Sequence, residues 1–444
     1  MPTPSELEVL HADHVARLSR AAAQALAAAG FDALVIHSGT PALRTRFDDI
    51  YWPLRPNPYL QHWLPLAEPG CALVVQAGHR PKLLRLLSSS YWEAPAAPES
   101  AHLFQPFDLL ELSQPAQLRA LMPGGRAAFV GEDLEAAAAW GFAEGAVNPR
   151  PLLDALDQLR VRKTPYEVAC LVEANRRAAA GHDELRALFA AADHAELALH
   201  LAYLGTTGQD DPETPYKNIV ALGKHAATLH HVSYDKRKSG GQSLLLDAGA
   251  AFSGYCSDVT RTWVKGAGAA ASAFAGVVAG LERAQQELCA GATPGKLYEA
   301  LHDEAHRKVA GVLREAGVST LSAEELVGAG VTRAFFPHGL GHSLGLVCHD
   351  VGCALLPPRA DNPWLRNTSV IAEGQCFTIE PGIYFIDSLL QPLRGRAGID
   401  WKLVDALALL GGVRIEDDLV VTATGTRNLT REVLPRGGGP VIVA

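Results

Sequence analysis

The stretch SLLLDAGAAFSGYCSDVTRTW (residues 243–263) places two aspartates around a glycine-containing turn. Asp247 follows an apolar run that is typical of a strand, and Asp258 lies beyond the turn. A hairpin of this length predicts that the two carboxylates lie side by side on neighbouring strands. Close carboxylates repel, and they raise each other's pKa unless a cation lies between them. On these residues alone, a metal site and a pair of ordinary strand-end aspartates are equal alternatives.

A second segment, FFPHGLGHSLGLVCHDVG (residues 335–352), carries His338, His342 and His349 among glycines. Glycine-rich backbone lets side chains approach a common point, and neutral imidazole is the commonest nitrogen ligand of borderline metals. A single histidine here would indicate a structural hydrogen bond. Three of them in one irregular segment favour a site.

Two glutamates follow in strand-like runs, Glu380 in GQCFTIEPGIYF and Glu416 in GGVRIEDDLVVT. A glutamate that faces the interior of a sheet destabilises the fold unless a metal or partner neutralises it, although a solvated edge is the alternative for Glu416. The segments together supply four carboxylates and at least one histidine. Such oxygen-rich ligation suits Mn²⁺, Co²⁺ or a Zn²⁺ pair, and two bridged cations predict hydrolase chemistry.

Composition excludes several other classes of protein. The 444 residues predict two domains, and the net charge of −9, with no Lys/Arg-rich run, argues against nucleic-acid or anionic-membrane partners. The N-terminal segment lacks the pattern of a signal peptide, and no apolar run is long enough to span a bilayer. The seven scattered cysteines form no CxxC pair. We therefore expect a cytoplasmic protein without disulfides.

The chain divides near residue 160. Before it, a helical pattern over 8–29 and strand-like runs at 71–78 and 126–132 predict an α/β domain, with a long proline-rich loop at 47–66. After it, strands with glycine turns mixed with long helices predict an α+β domain. The predicted domains are therefore residues 1–160 and 161–444.

Two helix starts are predicted in the second part of the chain. Thr164, Pro165 and Glu167 have the spacing of a capping box, and Thr293-Pro294 is a second start of the same kind.

The four segments resemble, in order, the motifs of the pita-bread metallopeptidases, which include methionine aminopeptidase, aminopeptidase P and prolidase. The matching patterns are Asp-x10-Asp-x-Thr-Arg-Thr, His-Gly-Leu-Gly-His, Thr-Ile-Glu-Pro-Gly-Ile-Tyr and Arg-Ile-Glu-Asp. The resemblance implies a C-terminal pita-bread catalytic domain and an N-terminal creatinase-like α/β domain. The proline-rich loop and the PLRG segment near residue 394 look most similar to bacterial Xaa-Pro dipeptidases.

The resemblance also implies the metal ligands. Asp247 is expected to bind one metal, Asp258 and Glu416 to bridge both, and His342 and Glu380 to complete the second. Two divalent ions are implied, with manganese expected and cobalt or zinc as alternatives.

The catalytic roles come from the same resemblance. In such enzymes a bridging hydroxide attacks the scissile carbonyl while the glutamate matched by Glu380 shuttles the proton. His349 and His230 match histidines that bind the substrate and stabilise the oxyanion, and His338 is expected to line the same pocket.

Four further residues are predicted to bind substrate. Arg414 and Arg394 are candidates for the substrate carboxylate, which would restrict cleavage to dipeptides, although Arg394 equally fits a solvated surface. Tyr216 matches an aromatic pocket position, with a packed core tyrosine as the alternative. At His231 the family normally has a tyrosine that supports the metal-binding aspartates, so an imidazole is expected to replace that hydrogen bond, to shift metal preference or to leave activity low.

The implied activity is hydrolysis of Xaa-Pro dipeptides. Aminopeptidase P, which acts on longer peptides, a side activity on organophosphorus esters, and a non-catalytic peptide-binding module are the alternatives. The resemblance further implies a homodimer in which the 48–66 loop reaches the partner's pocket, with Asp49 or Trp52 at its rim.

Overall fold

The computed structural model describes residues 3–87, 101–354 and 356–441. Its packing divides the chain into two units, Met1–Ala169 and Cys170–Ala444. The division falls inside a long helix, and the boundary expected at residue 160 stays a prediction. No helix within the described ranges combines the length and apolar character needed to cross a membrane.

The first unit contains a mixed sheet with the strand order β4-β3-β2-β1-β5. Strand β1 runs parallel to β5 and antiparallel to β2. Helices pack on both faces of this sheet, α1 and α5 on one and α3 and α4 on the other. The predicted α/β architecture is therefore confirmed. The strands are β1 (Ala33–His37), β2 (Ala72–Gln76), β3 (Lys82–Leu86), β4 (Asp108–Leu112) and β5 (Ala127–Val130), and the helices are α1 (Pro4–Ala29), α2 (Pro58–Gln61), α3 (Pro115–Ala120), α4 (Leu134–Ala139) and α5 (Arg150–Val161).

The predicted capping box begins α6 (Pro165–Ala191). The backbone N–H of Thr164 donates to the Glu167 carboxylate at 2.7 Å, and the Glu167 N–H donates to the Thr164 hydroxyl at 3.4 Å. The reciprocal pair satisfies two backbone donors that a helix start otherwise leaves without partners.

The second unit has a four-stranded sheet, β16-β10-β7-β6, and a three-stranded sheet, β11-β14-β15. Isolated bridges at Thr260↔Glu416 and Ser343↔Phe377 link neighbouring segments at the point where the candidate ligands lie. The strands are β6 (Ile219–Leu222), β7 (Ser243–Asp247), β8 (Ala251–Phe252), β9 (Tyr255–Cys256), β10 (Thr260–Val264), β11 (Cys376–Ile379), β12 (Gly382–Tyr384), β13 (Gly412–Arg414), β14 (Asp417–Val421), β15 (Thr426–Asn428) and β16 (Gly439–Pro440).

Helices of this unit bury a large apolar core against the strands, with Phe274, Leu301, Phe377 and Leu419 fully enclosed. The mixture of helices and largely antiparallel strands confirms the α+β prediction. The helices are α7 (Glu196–Thr207), α8 (Ala269–Gly291), α9 (Tyr298–Glu315), α10 (Ala323–Gly328), α11 (Val331–Phe335), α12 (Asp387–Leu390), α13 (Trp401–Ala408) and α14 (Leu429–Val433).

The helix start predicted at Thr293-Pro294 is wrong by several residues, because α9 begins at Tyr298. Gly295 has φ +87°, and its N–H donates to the carbonyl of Ile371. The backbone therefore turns at this point before it can enter the helix.

Candidate metal centre

The hairpin of β7 and β10 brings the two predicted aspartates together. Thr260 pairs with Asp247 across the antiparallel ladder, and Asp258 lies two residues before Thr260 in the connection. The Tyr216 hydroxyl lies 2.7 Å from Asp247 Oδ1 and 2.5 Å from Asp258 Oδ1. A phenol carries one proton and donates to one carboxylate at a time. The tyrosine therefore keeps the two carboxylates close together, but its single proton offsets the negative charge of only one of them at a time.

His342 reaches the same point from the glycine-rich segment. Its Nδ1 lies 3.0 Å from the carbonyl of Ser343, which requires the ring proton to sit on Nδ1. Nε2 faces Asp258 Oδ2 at 3.3 Å and Glu380 Oε1 at 3.6 Å. Burial lowers the pKa of His342, but its hydrogen bond to Asp258 and the neighbouring carboxylates raise it to about 9, so without a cation Nε2 also carries a proton. A bound cation would replace that proton, and the backbone carbonyl keeps Nε2 directed at this point.

The two glutamates come from the neighbouring sheet. Glu380 directly follows β11, and its N–H donates to the carbonyl of Leu340. Glu416 lies between β13 and β14, where the Thr260 hydroxyl donates to its Oε2 at 2.7 Å. Ligand atoms of Asp258, His342 and Glu416 lie within 4.8 Å of one another. Four carboxylates and one imidazole therefore converge.

The convergence of these buried groups shifts their pKa values. Burial, and then the neighbouring carboxylates, raise the pKa of Glu416 well above its ordinary value. Burial is also the main cause that raises the pKa of Asp247, and it raises the pKa of Glu380 to about 7. Burial opposes ionisation of Asp258, but its hydrogen bond and charge interaction with His342 lower its pKa to about 2. Such an excess of buried negative charge is what bound cations neutralise.

The donor set fits divalent cations. Carboxylate oxygens with one imidazole are ligands of Mn²⁺, Co²⁺ or catalytic Zn²⁺, whereas structural zinc sites close their coordination with cysteine and histidine. The other acidic residues of the motif have other partners: Asp417 pairs with Arg261 and Arg431, and Asp418 accepts from Asn175 and from the backbone N–H of Asp258. Of the three, Glu416 is the one whose carboxylate lies within reach of Asp258 and His342 as a shared ligand.

A cavity of about 790 Å³ opens onto these ligands. His230, His338 and His349 line it, as the sequence analysis expected of substrate-binding histidines. His338 Nε2 lies 2.8 Å from the Tyr384 hydroxyl. Partial burial, and then the charges of His342 and Arg366, lower the pKa of His349 to about 4. The ring is therefore neutral near pH 7 and has an N–H to donate.

Arg414 also lines the cavity, but its guanidinium is engaged by neighbours of the metal centre. It forms an ion pair with Asp247 and donates to the Tyr384 hydroxyl at 2.8 Å and to Thr260 Oγ1 at 3.2 Å. These contacts place it beside the ligands, where it offsets part of their charge.

The structure does not bring Arg394 to the cavity. Its guanidinium pairs with Asp405 at 2.7 Å and stacks on Trp401 at the protein surface. The substrate-carboxylate role predicted for Arg394 finds no geometric support here.

His231 likewise lies outside the cavity lining, with Nε2 2.8 Å from a carboxylate oxygen of the buried Glu196. The expectation that position 231 supports the metal-binding aspartates is corrected by the structure, because Tyr216 makes those hydrogen bonds. Tyr216 is therefore not a packed core tyrosine, and it does more than line the pocket, because its hydroxyl hydrogen-bonds to the two aspartates.

Among the cavity residues that sequence reasoning missed are Arg366, Trp364 and Cys348. Arg366 is exposed at the cavity, and its charge acts on His349. These residues lie in irregular segments with no periodicity. The only feature of the sequence that could have indicated Arg366 is its basic side chain between two of the motif segments.

Comparison with known proteins agrees with this geometry. The model of "Metallopeptidase family M24" matches residues 169–423, and that of "Xaa-Pro dipeptidase, N-terminal domain" matches residues 9–158. An Xaa-Pro dipeptidase of Pseudoalteromonas translucida is 40% identical and aligns over 96% of this chain and 99% of its own length. One of Marinobacter nauticus is 41% identical, over 97% of this chain and 100% of its own.

Among solved structures, a single-residue variant of Escherichia coli aminopeptidase P aligns with a TM-score of 0.72. It is 21% identical and covers 95% of each chain, so the likeness establishes the shared two-domain fold. With the family models and the near-full-length relatives, this shows that the chain belongs to metallopeptidase family M24 and, within that family, to the Xaa-Pro dipeptidases.

Proposed function

We propose that this chain hydrolyses Xaa-Pro dipeptides and releases C-terminal proline, using two divalent cations held in the cavity. The observation that carries the proposal is the convergence of three buried carboxylates, the half-buried Glu380 and one imidazole at the wall of a cavity large enough for a dipeptide. Water adds to the acyl carbon, the carbon–nitrogen bond to proline breaks, and the proline nitrogen takes up a proton. The proposed metal ligands are Asp247, Asp258, His342, Glu380 and Glu416.

Bound divalent cations would lower the pKa of water and polarise the scissile carbonyl. Glu380 is the residue that moves the proton. Its carboxylate lines the cavity beside His342, where a water bound by the cations would lie within its reach. It takes the proton from the attacking water and passes it to the proline nitrogen.

His349 and His230 donate to the carbonyl oxygen as negative charge develops on it. Both line the cavity next to the ligands, and the lowered pKa of His349 keeps its ring neutral. A fixed N–H donor in a partly dehydrated cavity stabilises the tetrahedral oxyanion more than the ground-state carbonyl. His338, held by Tyr384 on the same wall, positions the substrate.

Arg366 is the best-placed cation for the carboxylate of the substrate. It is exposed at the cavity, whereas the guanidinium of Arg414 is engaged by Asp247 and Tyr384. A planar guanidinium matches a carboxylate in a bidentate manner. Recognition of a free carboxylate one residue after the scissile bond restricts cleavage to dipeptides.

The metal, location and assembly complete the proposal. Oxygen-rich ligation favours manganese, with cobalt or zinc as alternatives. The seven cysteines are free thiols, which suits a reducing cytoplasm. The 48–66 loop exposes Tyr51 and Trp52, an apolar surface that suits a homodimer contact. A fully active monomer by light scattering would exclude this dimer.

The test is proline release from Ala-Pro, Gly-Pro and Ala-Pro-Ala by metal-stripped protein with and without added Mn²⁺. We expect metal-dependent cleavage of the two dipeptides and none of the tripeptide. Cleavage of the tripeptide would move the function to aminopeptidase P. No cleavage with Mn²⁺, Co²⁺ or Zn²⁺ would instead leave a peptide-binding module.

A further inference from the structure

Cys348 is a thiol at the metal centre that the proposed mechanism does not use. Its Sγ lies 3.0 Å from Asp258 Oδ2. It also forms a cluster with His342 and His349 in which the ligand atoms lie within 4.8 Å of one another. The other six cysteines are buried, whereas Cys348 is half-exposed and lines the cavity. Its setting therefore differs from that of a packed core cysteine.

Two separations among the three donor atoms match a shared cation. Zinc bonds of about 2.3 Å to sulfur and about 2.0–2.2 Å to nitrogen or oxygen, at angles of about 90–110°, put neighbouring ligand atoms about 2.9–3.6 Å apart. The Cys348 Sγ to Asp258 Oδ2 separation is 3.0 Å, and the Asp258 Oδ2 to His342 Nε2 separation is 3.3 Å. Both values lie in that range.

The thiol also lies close to two other groups that can bind a cation, Asp258 and His342. His342 directs Nε2 toward this point, and Asp258 turns Oδ2 to both the thiol and the imidazole. A thiol that only donated a hydrogen bond to Asp258 would need no second ligand within reach. Sulfur, carboxylate and imidazole together form a donor set that zinc and cobalt prefer to manganese.

We propose that Cys348 is a sulfur ligand of the cation shared by Asp258 and His342, and that it shifts the preference of this position toward Zn²⁺ or Co²⁺. On metal binding the thiol releases its proton to solvent, as coordinating thiols do. The inference rests on the proposed dinuclear centre and refines the metal that it holds.

Titration of the metal-stripped protein with Co²⁺, followed by absorption, is the direct test. Thiolate coordination gives a sulfur-to-cobalt charge-transfer band in the near ultraviolet, whereas ligand-field bands in the visible report bound cobalt whatever its ligands are. We expect both in the unaltered protein. Cys348→Val should lose the near-ultraviolet band and keep the visible ones, and Cys353→Ala, a buried cysteine in the same segment, should keep both.

The outcomes separate this inference from the proposed function. Visible bands and Ala-Pro hydrolysis without the near-ultraviolet band would overturn the sulfur ligand and leave the dipeptidase intact. Absence of all cobalt bands would count against the metal centre itself. These outcomes are observed in the unaltered protein alone, so the test remains valid even if a variant fails to fold.

Metal competition provides a second readout. Calorimetric titration of Cys348→Val should show Zn²⁺ affinity reduced at least about tenfold, with Mn²⁺ affinity changed much less, because sulfur is a soft ligand. Equal losses for the two metals would indicate a positioning effect on Asp258 and would overturn the inference.

Discussion

Tyr216 supports the metal centre through a single hydroxyl that two aspartates share. Its burial and the charges of Asp247 and Asp258 raise its pKa well above the ordinary value, so the phenol stays protonated. Hydrogen-bonding partners of metal ligands fix the orientation of those ligands, and their removal lowers metal affinity about 10- to 100-fold. The tyrosine is therefore a positioning residue and not a group that reacts.

Replacement of Tyr216 by phenylalanine should lower Mn²⁺ affinity about 10- to 100-fold, because the ring stays and only the shared donor is lost. Excess metal should recover much of the activity. Calorimetric titration of metal-stripped protein measures the affinity. Tyr234→Phe, which removes a phenol that donates to the carbonyl of Asn218, is the matched control and should leave metal affinity unchanged.

Arg366 gives a separate prediction about substrate recognition. Arg366→Gln should raise KM for Ala-Pro about 10- to 100-fold, because a charge-assisted hydrogen bond contributes about 1.5–3 kcal/mol. Its preference for Ala-Pro over the uncharged Ala-Pro amide should shrink by a similar factor. Arg394→Gln, at a surface ion pair, should change neither quantity. An unchanged KM for Ala-Pro in Arg366→Gln would indicate that Arg414, and not Arg366, binds the carboxylate of the substrate.

At the scale of elements, the β7–β10 hairpin determines whether the centre can form. Gly249 lies in its connection, where a Cβ atom would lie 2.0 Å from the carbonyl oxygen of Ser257, next to Asp258. Backbone cannot move away as a flexible side chain can. A methyl group added at Gly249 would therefore displace the backbone next to Asp258, a proposed metal ligand.

Gly249→Ala should destabilise the fold by about 1–3 kcal/mol and reduce kcat/KM, because the hairpin must shift to admit the methyl group. Gly276→Ala is the control: this glycine is exposed on helix α8 with no atom near a built Cβ, and alanine there should stabilise by about 0.5–1 kcal/mol. Thermal unfolding midpoints and Ala-Pro kinetics measure both. A neutral Gly249→Ala would show that the connection adapts without moving Asp258.

The same elements show how far sequence reasoning reaches. The closeness of Asp247 and Asp258 was predicted from strand patterning and a turn, both of which are local signals, although Thr260 and not Asp258 pairs with Asp247. The convergence of Glu380 and Glu416 on that hairpin depends on which strands pair across the unit, and only the resemblance to the family motifs indicated it. Arg366 and Cys348 lie in irregular backbone, where neither period nor propensity indicates what a side chain faces.

At the scale of the whole molecule, buried ionisable groups act on stability in opposite directions. Burial lowers the pKa of His182 and His306 to about 3 and that of His302 to about 4, whereas it raises the pKa of Glu380 to about 7. As pH falls through 6.5, the unfolded chain takes up protons on these histidines that the folded chain does not, so stability is lost. Glu380 takes up its proton earlier in the folded chain, so it opposes that loss.

His182 isolates the histidine contribution. Its ring is fully buried between Tyr203 and Trp263, with Nε2 3.0 Å from the carbonyl of Ala248. Glutamine keeps an N–H donor at this place but does not ionise. With a folded pKa near 3 against 6.5 in the unfolded chain, His182 costs the fold about 2 kcal/mol on acidification from pH 7 to pH 5.

His182→Gln should therefore be less stable than the unaltered protein at pH 7, and this deficit should shrink by about 2 kcal/mol at pH 5. Metal-stripped protein with chelator present is required, because acid also releases metals from carboxylates and imidazoles. Thermal and urea unfolding at both pH values measure the difference. A deficit for His182→Gln that does not change with pH would mean that the imidazole takes up its proton in the folded protein, which requires water or a carboxylate to reach a ring that this fold encloses completely.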